Sequence, residues 1–465
     1  MSVFSETVPL DVERIEAAIA AGEPDPARVG EVLDKALEMK GLNEEEVGCL
    51  TTVTDPELLD RLFAAARKVK EEIYGRRIVM FAPLYVSNLC KNICKYCAFR
   101  SDNTAVTRRA LTQEEVALET RTIIDQGQKR ILLVAGESYP EEDGLDYIFK
   151  CIDTIYSVKH GNGEVRRVNV NLAPLTVEEF KALHAKKIGT YQLFQETYHR
   201  PTYAQVHVSG RKSDYDWRVS APDRAMEAGI DDIGMGVLFG LYDWRFEAMA
   251  LMQHVAHLEK RFGVGCHTIS VPRIEPAVGA DMSYNPPHPV SDDDFRKLVA
   301  ILRLAVPYTG MIMSTRETPE MRRETLALGV SQISAGSRTN PGGYCESEDF
   351  DASQFSLGDH RPVDEVIRDV AELGYIPSFC TGCYRMGRTG ADFMDLAKPG
   401  LIKSYCGVNA LSTFMEFLVN YATPETRAAG EACIAQALGE MPQNLREKAS
   451  AMVEKVRAGA RDVYV

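Results

Sequence analysis

RIVMFAPLYVSNLCKNICKYCAFRS, residues 77–101, decides how this chain is read. Its first part, 77–86, is a strand-forming run. Just past it Cys90, Cys94 and Cys97 stand at C-x3-C-x2-C, where a loop can wrap a metal centre. A 4Fe–4S cluster needs four ligands, so three thiolates leave one iron open, whereas a structural zinc site is normally closed by a fourth protein ligand. No neighbouring His or Cys supplies that fourth ligand. Structural zinc and a redox thiol pair are the competing readings of the spacing alone.

Downstream, β-branched runs at 130–136, 167–173, 190–196, 232–239, 267–273, 310–315 and 332–336 alternate with longer helical segments, the pattern of strands and helices around a parallel sheet. With 77–86 they make eight. The fold expected is α/β, a (β/α)8 TIM-type barrel over 76–365, with a doubly wound open sheet as the alternative. The span of about 290 residues exceeds the ~250 of an ordinary barrel, and insertions such as 199–217 absorb the excess. Polar groups follow several runs: Glu137, Gln195 and Glu196, Arg273, then Ser314 and Arg316, as for a site at the C-terminal face of a barrel. Residues 1–75 carry helix formers at amphipathic spacing and predict an N-terminal helical extension. From 366 to 465 the strand rhythm is lost and a mostly helical C-terminal iron–sulfur domain is expected.

The 465 residues include 45% hydrophobic and 26% charged side chains, an ordinary globular balance. A net charge of -14 and a pI near 5.3 argue against nucleic acid as the main partner, since phosphate binding needs clustered Lys and Arg. The first residues show no basic segment leading an apolar run, and no stretch reaches the ~20 apolar residues of a membrane span, so the expectation is a cytoplasmic protein without membrane contact. Eleven cysteines in such a chain read as ligands, catalytic groups or core residues before disulfides.

C-x3-C-x2-C with an aromatic, Tyr96, before the last Cys resembles the signature of the radical S-adenosylmethionine (SAM) superfamily. The resemblance implies that SAM chelates the open iron and that an electron from the cluster breaks its C5′–S bond to give a 5′-deoxyadenosyl radical, chemistry the cofactor supplies. Ala135-Gly136-Glu137 resembles the superfamily's SAM amino-group segment. Glu196, Arg224 and Arg273 are further SAM-contact candidates by charge and hydrogen-bonding type, and each reads equally as a structural ion pair.

A second trio, Cys380, Cys383 and Cys406, stands at C-x2-C-x22-C and points to a second cluster with an open position. Two such trios, with the stretches GTYQLFQETYHRPTY, DRAMEAGIDDIGMGVLFGLYDWRFE, HTISVPR and AVPYTGMIMSTRE, resemble the tyrosine lyase branch of radical SAM enzymes and within it the maturases of iron–iron hydrogenase. That resemblance implies L-tyrosine and SAM as substrates, p-cresol and dehydroglycine as products, and conversion of dehydroglycine to carbon monoxide and cyanide at the C-terminal cluster. It also implies a reductant such as ferredoxin or flavodoxin, other maturases as partners, and a monomer or homodimer. Ser314 and Arg316 are expected at the tyrosine carboxylate, the competing reading being an Arg316–Glu317 ion pair. An additional iron on the second cluster, with free cysteine as its ligand, is implied to use a histidine; His257 and His267 stand open for it, ahead of His254.

The six steps from His267 to Arg273 span roughly 20 Å in a strand, so that with Arg273 facing SAM and His267 the second cluster the two clusters sit at opposite barrel ends. An internal passage for dehydroglycine follows. The alternatives are a 2-iminoacetate synthase for thiamin, which resembles the barrel without the C-terminal trio, and a non-catalytic iron–sulfur carrier, against which Glu137, Ser314 and Arg316 argue. Cys266 reads as a buried inert thiol. Arg338, Cys49, Cys151, Cys345 and Cys433 receive no role.

Overall fold

The structure, a computed structural model, describes residues 8–22, 25–345, 353–398 and 401–465. The reading of the extreme N-terminus falls, for residues 1–7, outside them. Eight parallel strands form the centre: β1 Arg77–Ser87, β2 Arg130–Ala135, β3 Arg167–Asn171, β4 Tyr191–Glu196, β5 Ile233–Val237, β6 Thr268–Ser270, β7 Gly310–Met313 and β8 Gln332–Ser334. Each pairs with the next, and β8 returns to β1 through Val79↔Gln332, Met80↔Ile333 and Phe81↔Ser334, which closes the barrel. All eight expected runs contain a strand, and the open-sheet alternative falls on the β8–β1 pairing.

The helices between strands begin where the sequence can satisfy their free N–H groups. Thr112 with Glu115 and Thr176 with Glu179 form reciprocal capping boxes at the starts of helices Gln113–Asp125 and Val177–Ala185, and Ser291 caps helix Asp292–Ala305. Helices Val12–Ala20, Pro26–Ala36, Glu44–Thr51 and Pro56–Tyr74 make up the N-terminal region. They share the main hydrophobic core with the barrel's outer layer, through residues such as Ile15, Leu50, Leu62 and Val69.

The C-terminal region differs from the expectation in one respect. Ile376–Ser378 forms a ninth strand, β9, parallel to the lower end of β1 with Arg77↔Ile376 and Val79↔Ser378. The segment after 366 therefore extends the barrel sheet before it turns helical. Three residues with Pro377 among them are too short and too poor in strand signal to show periodicity, and Pro is tolerated only where a ladder N–H is dispensable. Helix Ile402–Asn420 then packs on β9 and on helices Pro424–Glu440 and Gln443–Arg457. Among the described residues no helix is long and apolar enough to cross a membrane.

The barrel interior departs from the usual layers of Val, Ile and Leu. On β5, Gly234 and Gly236 take inward positions: a Cβ at Gly234 would lie 2.5 Å from Gln192 Cγ and 2.8 Å from Thr268 Oγ1, and one at Gly236 would lie 2.7 Å from the Phe194 ring. Polar residues thus replace bulk, and space remains inside.

Phe414 is fully buried at the contact of two C-terminal helices, where a Cβ on Gly430 would come within 2.9 Å of its ring. Phe414→Ala is expected to cost about 3–5 kcal/mol by leaving a cavity, read as a lower urea midpoint, whereas Phe414→Leu, which keeps much of the volume, costs about 1.5 kcal/mol or less.

Candidate active site and second metal centre

The upper cavity, about 180 Å³, opens at the C-terminal ends of the strands. Alternate residues line it: Phe81 and Tyr85 from β1, Leu132 and Val134 from β2, Gln192, Phe194 and Glu196 from β4, as the period-2 alternation of strands requires. Cys90, Cys94 and Cys97 border it from the loop after β1. That loop is pinned on two sides. Ile93–Cys94 pairs antiparallel with His207–Ser209, and Tyr96 bonds His207 Nε2 through its hydroxyl at 2.9 Å. On the other side Gly136 N–H donates to Ser87 O at 2.9 Å, and a Cβ on Gly136 would lie 2.2 Å from Leu89 O. Only glycine lets the Ala135–Glu137 turn approach the cysteine loop this closely.

Burial pushes all three thiols up from their ordinary values, with Glu137 adding to the effect at Cys90. Metal binding is what would deprotonate them. Among the described residues no three Cys, His, Asp or Glu side chains lie close enough together to hold one metal ion. In a 4Fe–4S cluster each thiolate binds a separate iron, which suits three thiols carried on one loop.

Gly136 and Glu137 line the cavity beside the cysteines, as do Tyr96 and Glu196. Glu137 accepts from Asn92 Nδ2 and Arg218 Nη1, each at 2.8 Å, and Glu196 from Lys212 Nζ at 2.7 Å. Arg218 Nη2 lies 3.4 Å from Glu196, and Lys212 Nζ 3.7 Å from Glu137. Burial acts to raise the Glu137 carboxyl, but Arg218 and Lys212 outweigh it and hold the group below its ordinary value. Glu196 has φ of 72° beside a bulge in β4, a left-handed conformation rare outside glycine that turns its side chain into the site.

Lys212 and Arg218 escaped the sequence reading. Both sit at or beside insertion 199–217, read only as extra length, although two cations there were a signal. The structure does not bring Arg224 or Arg273 to the cavity. Arg224 spends its donors on Leu175 O, Ser220 Oγ and Trp217 O. Arg273 pairs with Glu317 and Asp292.

That pairing decides the state of Arg316. Glu317 is taken by Arg273, so the Arg316–Glu317 ion pair does not form. Arg316 lines the cavity with Ser314, Thr315 and Glu275. It lies 3.2 Å from the Phe355 ring centroid, and its guanidinium donates to Arg273 O at 3.4 Å. Among the described residues it has no carboxylate partner, and burial lowers its pKa. A buried cation without an ion-pair partner is costly. It is a ready seat for a substrate carboxylate.

Cys380, Cys383 and Cys406 border a cavity of about 50 Å³ at the opposite end, among the N-terminal ends of the strands. His267 lines it with Arg77, Arg130 and Asp232. The Cys383 thiol hydrogen-bonds Cys406 and, with Arg77, Arg388 and Arg130, holds the Cys406 thiol below its ordinary value, while Cys383 is raised by the same bond and Cys380 by burial. Of the two histidines, His267 is brought to the trio. His257 is not: its Nε2 lies 2.8 Å from Asp223 on the barrel's outer side. His254 is buried against the Tyr198 hydroxyl. Cys266 is fully buried, which pushes its thiol up to about 12, and it does not line the cavity.

Gly136→Ala is expected to displace the cysteine loop and weaken iron binding at Cys90, Cys94 and Cys97 by about tenfold or more. Iron at the lower trio is unchanged. Iron per chain and cluster absorbance, compared between this variant and one lacking the upper thiols, check it.

Residues 84–252 match the radical SAM superfamily model, and residues 270–376 match the biotin and thiamin synthesis associated domain. The 2-iminoacetate synthase of Escherichia coli is 31% identical over 349 residues, covering 74% of this chain and 89% of its own length. A crystal structure of HydG, a maturase of the [FeFe]-hydrogenase, superposes with a TM-score of 0.93 at 50% identity, covering 97% of this chain and 98% of that one. HydG from Carboxydothermus hydrogenoformans superposes at 0.83 with 41% identity, covering 95% and 97%. Full-length likeness of this degree, on a closed barrel with a cysteine trio at each end, means that the chain belongs to the radical SAM superfamily and, within it, to the HydG family of maturases.

Proposed function

We propose that this chain is an L-tyrosine lyase. It cleaves the Cα–Cβ bond of tyrosine at the upper site to give p-cresol and dehydroglycine. At the lower site dehydroglycine becomes carbon monoxide and cyanide, for an iron carbonyl cyanide unit destined for the hydrogenase active site. The upper 4Fe–4S cluster and SAM, when bound, supply the radical that takes a hydrogen atom from the substrate.

The observation that carries this reading is the placing of two open cysteine trios at opposite ends of one barrel, with cavities that end on successive inward rungs. Phe81, Ile312 and Ser334 line the upper cavity; Val79, Gly310 and Gln332, two residues earlier on the same strands, line the lower. Successive inward rungs are about 7 Å apart. An imine product can cross so short a polar interval without meeting bulk water, which would hydrolyse it.

The chain's own groups then have distinct tasks. Cys90, Cys94 and Cys97 hold the upper cluster, with Tyr96 and Gly136 fixing their loop. Glu137 and Glu196, paired with Arg218 and Lys212, face the ammonium and hydroxyl groups of SAM. Arg316 clamps the tyrosine carboxylate with Ser314 beside it. Below, Cys380, Cys383 and Cys406 hold the second cluster, and His267 holds an additional iron that takes free cysteine as a ligand. A reductant of the ferredoxin or flavodoxin class supplies electrons.

Anaerobic turnover of reconstituted protein with SAM, L-tyrosine and dithionite tests this, assaying p-cresol and haem-trapped carbon monoxide. Wild type gives both; Cys380→Ala with Cys383→Ala gives p-cresol alone. Wild type yielding p-cresol without carbon monoxide would favour a 2-iminoacetate synthase, and no p-cresol a carrier. His267→Ala is expected to lose about one iron per chain while His257→Ala loses none, as metal analysis reads directly.

A further inference from the structure

Beside the lower trio a much larger cleft, about 840 Å³, opens to the surface around the N-terminal ends of β3, β4 and β5. Two side chains, Asp232 and Tyr384, line both the cleft and the small cavity that holds His267 and the three thiols. A side chain that borders two cavities has no second layer behind it. The wall between the outside and the candidate metal site is therefore one residue thick at these two points.

The Tyr384 part of this wall is held by one long hydrogen bond and by ring contacts. The Tyr384 hydroxyl meets Thr190 Oγ1 at 3.4 Å, at the long end for a hydroxyl bond. Its ring lies between two guanidinium groups, Arg167 at 3.8 Å on the cleft side and Arg130 at 5.4 Å on the thiol side. Arg167 Nε and Asp232 Oδ2 are buried and have no hydrogen-bond partner among the described residues. Unsatisfied buried groups of this kind call for a reason.

The charges of the cleft supply one. Arg166 pairs with Glu416, Arg385 with Asp462, and Lys186 with Asp153. Arg167 and Lys187 have no carboxylate partner among the described residues, and Asp231 no Lys or Arg partner, whereas Asp232 lies 3.5 Å from His267 and accepts from Gly390 N–H at 3.2 Å. Arg167 is oriented by donation to the carbonyls of Lys187 and Ile188. Asp231 accepts from Thr389 at 3.1 Å. Cations and carboxylates that share a cleft without pairing match a ligand that carries both charges.

We propose that this cleft is the port of the second metal centre. It captures a small α-amino acid as the zwitterion, carboxylate on Arg167 and Lys187, ammonium on Asp231. A swing of Tyr384 admits it to the metal held by the thiols and His267. The proposal rests on reading those four residues as a metal site.

The test uses the full chain with Cys90, Cys94 and Cys97 changed to Ser, reconstituted with iron and sulfide, so that the signal comes from the lower centre alone. Three thiol probes differ only in charge: L-cysteine carries both groups, cysteamine the ammonium, 3-mercaptopropionate the carboxylate. Their association rates are read by stopped-flow absorbance at low ionic strength. Arg167→Gln is expected to slow L-cysteine and 3-mercaptopropionate about tenfold, the scale of electrostatic steering into a cleft, and to leave cysteamine within about twofold. Asp231→Asn is expected to slow L-cysteine and cysteamine and to spare 3-mercaptopropionate. Arg167→Lys restores the Arg167 pattern toward that of the parent. Unchanged rates, or equal slowing of all three probes as a folding defect would produce, overturn the port. Failure of the parent protein to take up iron overturns the metal-site reading itself, and the port with it.

Discussion

Strand β1 is the constraint on which the rest of the molecule depends. Its eleven residues are almost wholly buried. The upper part pairs with β2, and the lower end pairs with both β8 and β9. Cys90 follows its last residue by three positions, and Cys380 follows β9 by two. The two cysteine trios are thereby tied to one strand, one past its upper end and the other beside its lower part, with Val79 and Ser87 roughly 26 Å apart along it. Parallel pairing makes that spacing rigid, since a slip of one residue would turn every inward side chain outward.

Charge is distributed along this axis in a way that separates the two ends chemically. Above, two carboxylates and two cations pair with one another beside the cysteine loop, and deeper in the cavity Arg316 has no ion-pair partner among the described residues. Buried ions cost several kcal/mol each unless paired. The chain meets this cost at Glu137 and Glu196 with Lys212 and Arg218, and leaves it standing where a substrate carboxylate would settle. Below, Arg77, Arg130 and Arg388 line the thiol cavity instead, and all three act to lower the pKa of Cys406.

Between the ends, glycines and short polar side chains take positions that branched aliphatic residues fill in an ordinary barrel. Gly234 gives its space to Gln192 and Thr268, and Gly310 to Gln332. The outer core remains conventional: helices and strands meet in a continuous apolar layer that extends into the N-terminal and C-terminal helices. Stability is carried by that layer, which frees the interior to hold cavities.

The sequence by itself determined the eight barrel strands, because each is a β-branched run bounded by helix-forming segments, and it determined both cysteine trios, because ligand spacing is written in the chain. It also named Gly136, Glu137, Ser314 and Arg316, which the structure gathers around one cavity, since groups just past the C-terminal end of a barrel strand converge there. Only the tertiary structure decided partnership. Arg224 and Arg273 read as well as Arg218 and Lys212 from the sequence, yet the first two are consumed by carbonyls and outer carboxylates while the second two reach Glu137 and Glu196. His257 and His267 carry the same ring, but one sits on the outer face of a helix against Asp223 and the other at the start of β6 beside the thiols. Strand β9 was hidden because three residues have no period; it exists because the edge of β1 offers it hydrogen bonds. Spacing along a chain specifies which groups are available, and the pairing of charges in space specifies which remain free to act.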